Sequence, residues 1–232
     1  MPPLATVEKR RSLHGRRKGK PLSARRTGLM ASAYPRLAID LAAPCPEPLA
    51  SLFPGAVDEV RLEIGFGGGE HLVAEAIAAP QAGFIGVEPF VEGMAKAVAA
   101  ISDQAIANIR LYDGDAVHLL DWLPPKSLRR VDLLYPDPWP KRRHFKRRFV
   151  NPGNLDRIAR VLSPGGTFRV ASDIDGYIAW TLFHLLRRDD FFWTAETADD
   201  WREPFAGWPG TRYEAKALAA GRKPTYLAFQ RT

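Results

Sequence analysis

EVRLEIGFGGGEHLVAEAIAA, Glu59 to Ala79, joins a short apolar run to a longer amphipathic one through a glycine turn, and Pro80 stops it. The spacing predicts a strand over Glu59–Ile64, a turn over Gly65–Gly69 and a helix over about Glu70–Ala79. Glycines at such a junction accept positive φ and let a ligand lie close to the backbone, beside the free N–H groups of a helix start. Strand, glycine loop and helix in that order open a βαβ unit, and a nucleotide-like cofactor is implied.

The alternation continues along the chain. Strands are predicted at Gly83–Glu88, about Asn108–Tyr112, Val131–Tyr135 and Thr167–Ala171, with helices at Val91–Ser102, Asn151–Leu162 and Asp173–Arg188. Asn151 is a candidate N-cap with Pro152 in the first helical position, and SPGG, Ser163–Gly166, reads as a turn. Tyr226–Gln230 alternates and reads as a late antiparallel strand. The fold class is therefore α/β with a mostly parallel sheet, starting near Val57 behind a proline-rich, packed-on linker from Tyr34 to Pro54.

With 232 residues, 46% hydrophobic and 25% charged, the chain can bury one sizeable core. Cys45 is the single cysteine, so no intrachain disulfide and no Cys/His zinc set exists. The five histidines show no ligand spacing, no metal is expected, and His71 and His184 read as packed or exposed bystanders in helices. No apolar run approaches the roughly 20 residues a membrane span needs, and the first residues lack the apolar stretch of a secretory signal. A soluble, cytoplasmic protein with no membrane partner and no obligate protein partner is expected.

The net charge of +7 is concentrated in two places. Residues 1–26 carry nine Lys and Arg against one acid, Glu8, and KRRHFKRR carries six more: Lys141, Arg142, Arg143, Lys146, Arg147 and Arg148. The rest of the chain is acidic. Dense cationic runs on an acidic body suit a polyphosphate partner, because neutralised phosphates release counterions. Residues 1–33, with few apolar residues and no period, are expected to be a basic tail without order until bound, and residues 34–232 the domain. A solubilising tail or an organellar transit peptide are the other readings of that tail.

The loop's chemistry is narrowed by its acids. The dinucleotide fingerprint needs a third glycine where this chain has Glu70. Glu88 ends the second strand, 23 residues beyond Gly65, where an acid accepts ribose hydroxyls, and Asp115 follows the third strand. Glu63, Glu88 and Asp115, a sheet edge with no compensating Lys or Arg, disfavour pyrophosphate and suit a cationic adenosine: S-adenosylmethionine, a sulfonium without phosphate. Singly, each has a plainer reading: a structural glycine turn, a strand-end acid facing solvent, a helix cap.

PDPWPKRRHFKRR, Pro136 to Arg148, follows the fourth strand directly. It sets Asp137 between prolines that restrict its backbone, at the sheet end where open α/β sheets bind ligands. The cationic run starts at Lys141, so the polyanion surface and the cofactor edge should be neighbours.

These segments resemble the tRNA (guanine-N7)-methyltransferases. The resemblance covers most of the chain: EIGFGGG, GVE ending at Glu88, DGDA with Asp115, PDPWPKRRHFKRR, the SD…Y segment Ser172–Tyr177, and TRYEAK, Thr211–Lys216. It implies the class I methyltransferase (Rossmann-like) fold, a mostly parallel seven-stranded sheet with helices on both faces. It also implies methyl transfer from S-adenosylmethionine to guanine N7 in the variable loop of tRNA. By that resemblance Glu63, Gly65, Gly67, Glu88, Asp115 and Asp137 would hold the cofactor, with Asp137 catalytic. Lys141, Asp173, Thr211, Arg212, Tyr213 and Glu214 would hold the guanosine and its RNA, and the remaining cations of the run the RNA backbone. Ser172 stands where many relatives have Thr.

Guanine N7 carries a lone pair and no proton, so methylation there needs no general base, and a fixed carboxylate would instead stabilise the charge left on the purine. Asp173 or Glu214 would accept from N1–H and the exocyclic amine, and Trp139 or Tyr213 would stack on an unstacked base. The competing readings are an RNA-binding module without catalysis, which the retained loop and acids oppose, and a nicotinamide dehydrogenase, which Glu70 opposes.

Overall fold

Val60, Leu62 and Ile64 alternate with Arg61 and Glu63, and the strand they make lies inside the sheet, paired on both sides. The structure, a computed structural model, describes residue 17 and residues 19–232. Among these, β1 (Glu59–Ile64), β2 (Ala82–Val87), β3 (Ile109–Tyr112), β4 (Leu128–Leu134) and β5 (Leu162–Ser172) run parallel. β6 (Phe191–Trp193) and β7 (Thr225–Arg231) complete a seven-stranded sheet in the order β3-β2-β1-β4-β5-β7-β6, with β7 antiparallel to both β5 and β6. The chain winds outward from β1 to β3 and then crosses to β4, so the switch point lies between β1 and β4.

One apolar set, including Leu62, Ile85, Val131, Phe168 and Val170, packs against Leu119 and Leu120 of α5 (Ala116–Trp122), Leu155 and Ile158 of α6 (Pro152–Val161) and Leu185 of α7 (Asp175–Leu185). A second joins Phe84, Ile109 and Leu111 to Leu72 of α3 (Glu70–Ala78) and Met94 and Val98 of α4 (Val91–Asp103). Between them, β1, β4 and β5 carry a polar row on alternate positions, with Glu63, Asp132 and Arg169 in register. Asn151 caps α6 by accepting from Asn154 N at 3.1 Å, as the sequence implied.

Several segments differ from the sequence reading. Ala24–Ser32, inside the stretch expected to lack order, is helix α1; Ser23 accepts from Arg26 N, and Leu29 and Met30 pack on the second apolar set. Leu29, Met30, Ala33, Tyr34 and Leu37 are the helical stripe that the basic residues around them obscured. Residues 1–16 and 18 of that tail lie outside the described residues. The linker holds a short helix, α2 (Tyr34–Leu37), and a 3₁₀ turn at Leu49–Leu52. SPGG is a register break within β5 rather than a turn ahead of it, since Leu128 pairs with Leu162 and Arg130 with Thr167. The short elements α5, β6, α8 (Asp199–Arg202) and α9 (Arg212–Ala219) escaped the sequence reading.

α4 is seated against the glycine loop. A Cβ at Gly93 would stand 2.2 Å from the carbonyl oxygen of Gly67, a backbone atom with no side chain to yield. Helix propensity alone would favour alanine there by about 1 kcal/mol. The overlap should reverse the sign, so Gly93→Ala is expected to destabilise by roughly 1–3 kcal/mol in urea unfolding. A stabilised variant would show that α4 does not bear on the loop.

Candidate active site

A cavity of about 520 Å³ opens at the carboxyl ends of the strands, within the 300–1,000 Å³ usual for small-molecule sites. Gly65 and Gly67, at φ +74° and +59°, Glu88, Asp115 and Asp137 all lie on its wall. Glu88 leaves the end of β2 and is 8% exposed; Oε2 accepts from Gly67 N at 2.7 Å and Oε1 from Phe90 N at 2.9 Å. Burial pushes its pKa up, Asp137 and Glu63 add to that, and the two backbone donors oppose it. Asp115 caps α5 by accepting from Val117 N at 3.0 Å, so the capping and cavity readings hold together.

Asp137 sits on the wall between two residues held at positive φ, Tyr135 at +49° and Trp139 at +41°. Non-glycine residues adopt that region at a cost, and here the cost accompanies a carboxylate turned to a cavity. The surrounding walls raise the Asp137 pKa by desolvation. The Arg147 guanidinium lies 4.9 Å from the Trp139 ring centre, and the edge of the His144 ring meets Trp139 at 5.8 Å. The KRRHFKRR run forms a 3₁₀ turn, Arg142–Arg147, directly beyond this wall, with Lys141, Arg142, Arg143 and Lys146 exposed.

The sheet edge is less purely acidic than the linear spacing suggested. Lys96 from α4, Arg147, and Arg212 and Lys216 from α9 also reach the wall, although Lys96 is 3.5 Å from Glu92. Tyr213, on α9, packs over Gly67, where a Cβ would stand 3.3 Å from its ring. The signal for α9 was present as Thr-x-x-Glu: Thr211 accepts from Glu214 N at 3.0 Å, and Glu214 Oε2 from Thr211 N at 3.2 Å, a capping box.

Other expected site residues stand off the cavity wall. Glu63 is 5% exposed and points to His71, with 2.8 Å between Oε2 and Nδ1, so His71 is packed and is the partner of Glu63. Glu214 is buried and also accepts from Trp208 Nε1 at 2.8 Å and from the Tyr226 hydroxyl. Asp173 pairs with Arg222, with 2.5 Å between Oδ2 and Nε, and Thr211 is spent on its cap. Arg148 corrects the sequence reading: it was grouped with the RNA-backbone cations, yet it is 3% exposed and turned inward. Its guanidinium donates to Pro138 O at 2.9 Å and Gly176 O at 3.1 Å and lies 3.8 Å from the Phe145 ring centre. Charge runs do not announce which member folds inward. Among the described residues no group of His, Cys, Asp or Glu is placed to hold a metal, and no helix is long and apolar enough to cross a membrane.

Arg148 therefore pins the Asp137 loop to α7. Arg148→Ala is expected to cost about 3 kcal/mol in urea unfolding, from two charged hydrogen bonds and the ring contacts. Arg142→Ala, at an exposed position, should stay within about 0.5 kcal/mol. Equal effects would contradict this division of the run.

Residues 58–227 match the family described as "Putative methyltransferase". Over 217 residues, 94% of each chain, the sequence is 59% identical to a tRNA (guanine-N(7)-)-methyltransferase of Chelativorans sp. (strain BNC1) and 60% identical to one of Rhizobium meliloti (strain 1021). In fold it is similar to the 16S rRNA methyltransferase KamB, at a TM-score of 0.55 and 16% identity, covering 82% of this chain and 95% of that one. On the extent and identity of these matches, the chain belongs to the tRNA (guanine-N7)-methyltransferase family.

Proposed function

We propose that this chain transfers a methyl group from S-adenosylmethionine to N7 of a guanine in the variable loop of tRNA, forming 7-methylguanosine, in the cytoplasm. The observation that carries the reading is Asp137: a carboxylate on the wall of a cavity shared with Glu88 and Asp115, one short turn from an exposed cationic run. The relatives at 59% and 60% identity are named tRNA (guanine-N(7)-)-methyltransferases.

The residues present fit the cofactor. Glu88 keeps an acceptor lone pair on each oxygen beyond its bonds to Gly67 N and Phe90 N, which suits two ribose hydroxyls. Gly65 and Gly67 leave the wall without side chains, and the acids lining it offset a positive ligand. S-adenosylmethionine supplies, when bound, an electrophilic methyl group on a positively charged sulfur.

The protein's own contribution is placement and charge. N7 has no proton to lose, so Asp137 is not needed as a base; an ionised Asp137 lowers the energy of positive charge developing on the purine. Holding the base in line with the methyl group accounts for much of the remaining acceleration. Tyr213 and Trp139 offer ring faces for an unstacked base, with one face of Trp139 backed by Arg147. Lys141, Arg142, Arg143 and Lys146 take RNA phosphates, and Arg147 and Arg212 bridge from that surface to the cavity. Asp173 keeps Oδ1 for a guanine N–H beyond its pair with Arg222. Glu214, engaged by three donors, serves as the cap that presents Arg212 and Tyr213.

Asp137→Asn is expected to lower kcat for methyl transfer to unmodified tRNA by roughly 100-fold or more, with tRNA affinity within about threefold. Nucleoside analysis of the product reads the 7-methylguanosine. For the wild type, kcat/KM should fall on acidification as the carboxylate takes a proton, through a midpoint above the ordinary aspartate value of about 4. Full activity in the variant, or a flat profile down to pH 4, would contradict the role given to Asp137.

A further inference from the structure

The methyl-transfer reading leaves unused a buried line of side chains behind the cavity. It starts at Glu63, two residues before Gly65 on the strand side of the glycine loop, where Oε2 meets His71 Nδ1 at 2.8 Å. The His71 ring, 3% exposed, lies against the Trp208 indole with centres 4.6 Å apart. Trp208 Nε1 donates to Glu214 Oε2 at 2.8 Å, and Glu214 holds the first turn of α9. α9 then sends Tyr213 back over Gly67 of the same loop. The circuit closes: cofactor loop, His71, Trp208, Glu214, α9, cofactor loop.

Neither His71 nor Trp208 lines the cavity. Both are packed between elements that must be placed correctly together, since Gly65 and Gly67 of the loop and Arg212, Tyr213 and Lys216 of α9 line one cavity. A dense core transmits displacement rather than absorbing it. The ring contact ties α3, which carries His71, to the segment carrying Trp208.

We propose that His71 and Trp208 are positioning residues that couple the glycine loop to α9, so that filling the cofactor site tightens RNA binding and RNA tightens cofactor binding by the same factor. The inference rests on the reading of the site as one for S-adenosylmethionine and tRNA. Its content beyond that reading is that the two ligands communicate through the His71–Trp208 contact.

The test is a ratio. Binding of unmodified tRNA to the full-length protein is measured by fluorescence anisotropy with and without saturating S-adenosylhomocysteine, which cannot react. The wild type should bind tRNA about 10-fold more tightly in its presence, within the 5- to 150-fold range of allosteric couplings. Trp208→Leu, which removes the ring contact and the donor to Glu214, should bring the ratio to near 1 while the affinity for S-adenosylhomocysteine alone stays within about threefold. His71→Asn, which keeps a donor toward Glu63 but loses the ring, should do the same. Trp208→Phe, which keeps a ring on His71, should restore an intermediate ratio. An inert fraction scales both dissociation constants alike, and a folding equilibrium shifted by S-adenosylhomocysteine raises the ratio rather than lowering it, so a ratio near 1 separates positioning from loss of structure. Should Trp208→Leu not fold, Trp208→Phe and His71→Asn decide. A wild-type ratio near 1, or a ratio unchanged in the variants, overturns the inference and leaves the functional reading standing. A wild type that binds neither ligand overturns that reading, and the inference with it.

Discussion

A single carboxylate, Glu88, clasped between Gly67 N and Phe90 N, organises the cavity. A buried carboxylate is costly unless its oxygens are well served, and charge-assisted hydrogen bonds of this kind contribute roughly 1.5–3 kcal/mol each. Both donors belong to connections that follow parallel strands, one after β1 and one after β2, so the bond pair joins neighbouring βα units at the carboxyl edge. The loop can hold that position because Gly67 adopts positive φ and because Gly93 lets α4 approach its carbonyl. With Glu88 so held, a fixed acceptor stands at the carboxyl end of β2, on the cavity wall.

The support beneath this edge is ionic rather than apolar. Asp132 lies between Arg130 at 2.9 Å and Arg169 at 2.6 Å; burial alone would raise its pKa, but those two cations hold it down at about 2. Glu75, from α3, pairs with Arg130, and His71 sits between Glu63 and Glu75. His71 is buried, which disfavours its proton, yet Glu63, Asp132 and Glu75 together raise its pKa. Buried pairs of this type contribute little net stability compared with apolar packing, but removing one partner strands the other. Their value here lies in orientation: the row fixes α3 against β1 and β4, and the N-terminal end of α3 is the end of the glycine loop.

Much of this was legible in the sequence. The strand, loop and helix at Glu59–Ala79 and the parallel order that follows are local patterns, and β1 matches its predicted bounds. Gly65, Gly67, Glu88, Asp115 and Asp137 reach one cavity because each lies at a strand's carboxyl end, a position topology alone converts into proximity. What was not legible depends on side-chain direction or on contacts between distant segments. Arg148 differs from Arg147 by one position, and only the fold shows that it turns toward Pro138 and Gly176. Glu63 shares the glycine motif with the cavity residues but is taken by His71. Lys96 and Lys216 approach the cavity from helices distant in sequence. α1 and α9 carried usable signals, an apolar stripe and a capping box, that a basic composition and a family motif overshadowed.

The ligand that the Glu88 edge accepts decides the chemistry of the site. Isothermal calorimetry of the full-length protein with S-adenosylmethionine and, separately, with NAD tests it most directly. Saturable, one-to-one binding of S-adenosylmethionine with no detectable heat from NAD is the predicted result. Binding of NAD in preference to S-adenosylmethionine would contradict the account, because the site would then accept a pyrophosphate rather than a sulfonium.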